Sequence, residues 1–293
     1  MGRKKRRLRS RKKRVTKSKA DGRGTNIEQR GIVEEEPQRK WLKPTLAVTA
    51  CLSIIFAGLL WSNSSFVAQE KPPDVSPSPS PQPNVAVPKA AILDGLWRTQ
   101  PNLTFTENLR GCLEGMGFRV DIFQGENVTI NLLRSIKGYE IIVLRLHSCI
   151  HTDGFLYLFS GELYTESKYV EEQLSGAVRR GYTFIESEPP YFALNSVFLG
   201  RDAPEGLSDS LIILMGCNGT NDPYSIQRLL ERKVEAYIAW NGFVDLSYSD
   251  AVTLRLVNVL SAGSSPKEAV QDVINKYGPD PHYGSILQCY TPG

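Results

Sequence analysis

The chain has 293 residues, with 35 Lys+Arg against 31 Asp+Glu and a formal net charge of +4. Apolar residues at 41% exclude a wholly disordered or collagen-like chain, and five cysteines over this length exclude a small disulfide-built scaffold. The net charge hides a division: residues 1–43 hold 17 basic and 5 acidic residues, a balance of +12, while residues 44–293 hold 18 and 26, a balance of −8.

Residues 1–43 read as a basic tail, with 12 Lys/Arg among the first 19 residues. Such a block repels itself and buries nothing, so it reads either as a contact for nucleic acid or anionic lipid head groups or as a topology signal for the segment that follows. Residues 44–62 follow as a transmembrane signal anchor, and Pro44–Trp61 carries no charge. About 20 residues cross a hydrocarbon core of about 30 Å. Trp41 and Trp61 flank the run as interfacial anchors, with Lys40 and Lys43 at its inner end. A cleaved signal peptide is the alternative, although its apolar region is usually shorter and nearer the N-terminus. The positive-inside rule places 1–43 in the cytoplasm and the C-terminal domain outside the cell membrane. Anionic lipid head groups then suit the tail better than nucleic acid, because the span separates the tail from the domain. Residues 63–89 form a Pro/Ser-rich stalk with seven prolines between Pro72 and Pro88. Extended polyproline geometry makes it a semi-rigid spacer.

Residues 90–293 are the globular domain. Strands are expected at 90–97, 118–123, 139–147, 155–160, 210–216 and 234–240, with a last one at ILQCY. Helices are expected at 106–116, 128–136, 167–180, 224–233, 249–261 and 265–277. Strands alternating with helices predict an α/β fold, a three-layer αβα sandwich on a mostly parallel sheet of about six strands. Strands 139–146 and 210–216 are the most uniformly apolar, so they are expected to be neighbours.

Ligands of open parallel sheets bind beyond the carboxyl ends of the strands. His147 follows the strand YEIIVLRL and Cys217 follows SLIILMG. An imidazole and a thiol brought together form a dyad in which the thiolate attacks a carbonyl. Gly216 and Gly219 around Cys217 give a backbone amide room to approach an oxyanion.

LRLHSCIHTDGFLYL and LIILMGCNGTND resemble the two catalytic blocks of the caspase-fold cysteine peptidases. That clan includes caspases, metacaspases, clostripain, gingipains and CHAT domains. VEAYIAWNGFVDLSYSDAVTLRLVNVLSAGSSPKEAVQDV is similar to the clan's next block, so the resemblance covers most of residues 90–293. It implies a cysteine endopeptidase acting on a peptide or protein substrate, with His147 as acid/base and Cys217 as nucleophile. Ser148, Gly216 and Asn218 become the oxyanion and backbone positions. Ser148 stands where the clan usually has Gly, which leaves open an inactive caspase-fold binding or sensor module. The resemblance also implies that Trp240, Asn241, Gly242 and Asp245 line the first substrate pocket. Asp245 and Asp250 are candidates for pairing with a basic substrate residue. Asp250 is read first as an acid near a helix N-terminus, whereas for Asp245 the pocket and a solvent-facing position are equal readings.

The remaining candidates have plainer readings. His151 reads as a loop residue and His282 as a surface one. His147, Cys149, His151 and Cys217 form an H-x-C-x-H set with a fourth ligand, but the usual zinc spacings are absent, so no metal is expected, and no cofactor. Cys149 and Cys217 are a possible disulfide pair. Sequons occur at Asn63, Asn102, Asn127 and Asn218.

Overall fold

The computed structural model describes residues 32–33, 87–203 and 206–293. The rest of the basic tail, the apolar segment 44–62 and most of the stalk lie outside the described residues. Among the described residues no helix is long and apolar enough to cross a membrane.

A six-stranded sheet organises the domain. Its strands are β2 (Lys89–Asp94), β3 (Arg119–Gln124), β4 (Ile141–Arg145), β9 (Leu211–Leu214), β10 (Ala236–Trp240) and β11 (Leu287–Tyr290). The order is β11-β10-β9-β4-β2-β3, parallel throughout except for β11. Every residue of β4, β9 and β10 is buried, which explains their apolar sequences, broken only at the end of β4 by the buried Arg145. The expected neighbours do pair, with Ile142 opposite Ile212 and Val143 opposite Ile213.

Helices cover both faces. Alternate strand residues Ile92, Val143, Ile213 and Ile238 meet α1 (Leu103–Gly115), α5 (Leu246–Ser261) and α6 (Pro266–Tyr277) through Leu109, Leu256 and Val273. The intervening residues Leu93, Ile142, Ile212 and Tyr237 meet α2 (Ile130–Ser135) and α4 (Pro223–Leu230) through Leu133 and Leu229. Cap residues set the helix starts. Asn102 receives Phe105 N–H, Asp222 receives Ser225 N–H, and Ser265 with Glu268 forms a complete capping box ahead of α6.

The second face carries more than helices. A five-stranded antiparallel sheet lies there, in the order β1-β7-β8-β6-β5. It comprises β1 (Ile32–Val33), β5 (Ser148–Ile150), β6 (Leu156–Leu163), β7 (Val178–Tyr182) and β8 (Tyr191–Asn195). Leu156, Leu158, Val178, Phe192 and Leu194 join the same core as Ile142 and Leu144. The helix expected over 167–180 is therefore corrected. Only α3 (Val170–Ser175) is helical, Gly176 ends it in the left-handed region at φ 75°, and the chain turns into β7.

Candidate active site

Strand order reverses between β2 and β4: the chain runs from β2 out to β3, then crosses back to β4 on the other side. Open α/β sheets hold ligands at such a crevice, beyond the strand carboxyl ends. A cavity lies there. Its walls come from the segments after four adjacent strands: Leu96 and Gln100 after β2, Leu146 and His147 after β4, Met215 to Cys217 after β9, and Val244 to Leu246 after β10. Thr183 to Ile185, leaving β7 of the second sheet, close the remaining side. His147 and Cys217 thus share one cavity.

The pair is neutral at rest. Burial, with the nearby Arg145 charge adding to it, pushes His147 down to about 4. Burial pushes the Cys217 thiol up, against a hydrogen bond from Val244 N–H, and the Asp280 carboxylate adds to the rise. A neutral imidazole is competent to accept a proton from a neutral thiol as the thiol attacks. The His147 ring is set edge-on to Phe159, with centroids 6.1 Å apart.

The turn after β9 fixes the thiol. Asn218 adopts φ 58°, so the chain reverses directly behind Cys217. Asn218 N–H donates to Gly242 O at 2.8 Å, so this amide is occupied and does not serve an oxyanion. A Cβ at Gly216 would collide with Ser148 Oγ and Leu146 O, so glycine is required by close packing. Ser148 lies on β5, the edge of the antiparallel sheet, opposite Leu158. Phe159 N–H bonds His147 O and His151 N–H bonds Phe155 O, so the bonded pairs fall at 147 and 151. In an antiparallel ladder the alternation then leaves Ser148 N–H on the open edge of β5, within a side chain's length of Cys217.

The expected pocket residues separate. Asp245 lines the cavity, where it also caps α5 by accepting Tyr248 N–H at 3.0 Å. Trp240 is a core residue, 1% exposed, whose Nε1 donates to Ser249 Oγ at 3.1 Å. It reaches the cavity only through Ser249, which donates to Met215 O. Asn241 is turned away from the cavity and bonds Ile286 N–H through its side-chain oxygen at 2.7 Å. Asp250 is no pocket acid and no simple dipole partner. It is buried against Arg145, through Nε–Oδ1 at 2.9 Å and Nη2–Oδ2 at 3.1 Å, and also accepts from Asn102 Nδ2. Asp94 takes a third bond of the same guanidinium at 2.9 Å.

His151 is also placed elsewhere. Its Nδ1 lies 3.0 Å from Asp153 Oδ2 and its ring meets Tyr157 edge-on. His282 is exposed on the C-terminal loop, with Nδ1 4.0 Å from Asp245 Oδ2. Among the described residues no three His, Cys, Asp or Glu side chains converge as a metal would require. Cys149 and Cys217 are free thiols, and burial with the nearby Cys217 raises Cys149 to about 12.

Several wall residues escaped the sequence reading. Leu96 falls within the strand expected at 90–97, but β2 ends at Asp94 and Leu96 stands in the turn after it; Phe184 and Ile185 stand in a loop, where no periodicity marks an apolar residue as part of a site. Asp280 was hidden in a Pro/Gly-rich tail. It is buried and accepts from the backbone N–H groups of Asp245, His282 and Tyr283, which ties the cavity loop to the C-terminal segment.

No protein family matches the chain, and no curated protein matches it.

Proposed function

We propose that the chain is a cysteine endopeptidase of caspase-like fold, anchored in the membrane by residues 44–62, with its catalytic domain outside. One observation carries the reading. His147 and Cys217 stand past the carboxyl ends of two directly paired parallel strands and line one cavity. In the proposed reaction His147 Nε2 or Nδ1 takes the thiol proton as Cys217 Sγ bonds to the scissile carbonyl carbon. The C–N bond breaks as that proton passes to the leaving amine, and water then hydrolyses the thioester. The reaction as written uses no cofactor. Ser148 N–H is the proposed oxyanion donor.

The substrate is a peptide cleaved after a basic residue. Support comes from charge: among the described residues lining the cavity, Asp245 carries the charge, and Arg145 beneath it is already held by two carboxylates. Leu96, Leu146, Phe184 and Ile185 supply apolar walls for the stem of an Arg or Lys side chain.

The outward topology rests on the charge asymmetry and competes with the β1–β7 ladder. A single crossing at 44–62 would put Ile32–Val33 and Gly181–Tyr182 on opposite sides, so one chain cannot have both. A ladder of two residue pairs contributes only a few kcal/mol net, at about 0.5–1.5 kcal/mol per hydrogen bond. Burial of one Leu, Ile or Phe side chain contributes about 1.5–3 kcal/mol, and the apolar run holds several. The span outweighs the ladder. The basic tail then lies against anionic lipid on the cytoplasmic side.

A second reading has its own observation. The neutral resting pair, with His147 near 4 and the thiol raised, is also what an inactive binding module of the same fold would have. The two are separated by a thiol-directed peptide electrophile applied without denaturant. Covalent labelling of Cys217 supports the peptidase. Labelling that requires unfolding supports the binding module.

A further inference from the structure

Ser148 occupies the position where the resembled clan carries glycine, and its hydroxyl makes a bond that glycine cannot. Ser148 Oγ donates to Cys217 O at 2.6 Å. The same peptide unit is held at its other end, where Asn218 N–H donates to Gly242 O at 2.8 Å. The Cys217–Asn218 peptide plane is therefore clamped between β5 and the loop after β10. Asn218 is left-handed at φ 58°, a conformation that asparagine adopts more readily than other non-glycine residues, and the peptide preceding it is bonded at both ends. The serine side chain, together with Leu146 O, also fills the space that a Cβ at Gly216 would need, so Ser148 packs against the residues on both sides of Cys217.

We propose that Ser148 is a positioning residue for the nucleophile: its hydroxyl holds the Cys217–Asn218 peptide plane so that Cys217 Sγ stays directed at the cavity shared with His147. The inference rests on the peptidase reading and extends it. Ser148 sits on the edge strand of the second sheet, immediately after His147, so a single backbone turn carries both the acid/base and the tie to the nucleophile. Removing the hydroxyl leaves Cys217 O short of its donor and frees the plane to rotate. The thiol remains chemically intact. Its orientation toward a bound carbonyl is what is lost, and a displacement of about 1 Å costs on the order of 10²-fold in rate.

The test uses the full chain in lipid vesicles with two probes: a peptidyl acyloxymethyl ketone ending in Arg, and iodoacetamide. The first requires an oriented thiol beside an occupied pocket; the second requires only an accessible thiol. In Ser148→Ala the maximal labelling rate by the peptide probe should fall roughly 10- to 100-fold, while its half-saturating concentration changes less than about 3-fold. The iodoacetamide rate should stay within about 3-fold of wild type. Ser148→Thr, which keeps a hydroxyl, should recover most of the peptide-probe rate. An unchanged maximal rate in Ser148→Ala overturns the inference, as does equal slowing with both probes. If the threonine variant fails to fold, the alanine variant alone decides. If the wild-type thiol is not labelled by the peptide probe at all, the peptidase reading fails and the inference falls with it.

Discussion

Arg145 grips Asp250 with two hydrogen bonds, 2.9 and 3.1 Å long, where both side chains are almost entirely withdrawn from water. The same guanidinium holds Asp94 and Gln100 O. It therefore joins the ends of β2 and β4 to α5 under the cavity. Breaking a buried pair from one side leaves an uncompensated charge. Asp250→Ala should destabilise the domain by about 3–5 kcal/mol in urea denaturation. A loss below about 1 kcal/mol would place Asp250 outside this network.

Asp245 has a different task from Asp250, although both are acids near the start of α5. Asparagine caps a helix about as well as aspartate, so Asp245→Asn should change stability by only a few tenths of a kcal/mol. It removes the charge facing the cavity. The preference for Arg over Leu before the scissile bond should disappear, while iodoacetamide still alkylates Cys217. If the preference survives, the basic residue is recognised elsewhere.

The sheet was legible in the sequence because its central strands, buried on both faces, are apolar over most of their length. IIVLR and LIIL could be read as strands and as neighbours, and the residues following them as a site. The second sheet was not legible. Val170, Leu174 and Val178 recur at helical spacing, yet Gly176 breaks the run and β7 carries Arg179 and Arg180. Their guanidiniums lie over Tyr157 and over Tyr164, a tertiary solution that local sequence does not announce. Cys217 and His147 were readable as candidates because strands point to them; the cavity walls were not, because loops built them.

The neutral resting pair predicts a distinctive pH dependence. His147 is held near 4, below its ordinary 6.5, so the unfolded chain binds more protons between those values. Stability should be unaffected by this group above pH 6.5 and should decline as pH falls from 6.5 through 4. The loss is on the order of 3 kcal/mol at most, and less in so far as the ring borders the open cavity. His147→Gln should flatten that decline in thermal melts from pH 7 to 4. Conversely, iodoacetamide alkylation of Cys217 should be slow at pH 7 and still rising above pH 9, because burial raises the thiol. A rate already at its plateau at pH 6 would indicate a preformed thiolate–imidazolium pair.

Topology has its own check in the sequons. Asn102 is bonded to Asp250 and caps α1, and Asn218 sits directly after Cys217 with its side chain bonded to Asn221. Asn127 is exposed on a short turn after β3. When the full chain is translated with glycosylation-competent microsomes, the natively folded fraction should carry a glycan at Asn127. Added protease should remove only residues on the tail side of the span. Digestion of the C-terminal domain with the tail protected would reverse the orientation, and digestion of both would remove the crossing and leave the β1–β7 ladder as the native pairing.

The central claim is that Cys217 and His147 cleave peptides together. The most direct measurement is the cleavage rate of an Arg-containing peptide by the vesicle-bound full chain and by three variants. Cys217→Ala should abolish cleavage, and His147→Ala should lower the rate by roughly 10²–10⁴-fold. His151→Ala, whose ring is turned to Asp153 and Tyr157, should retain most of the wild-type rate. Full cleavage by Cys217→Ala, or equal loss in the two histidine variants, would contradict the account.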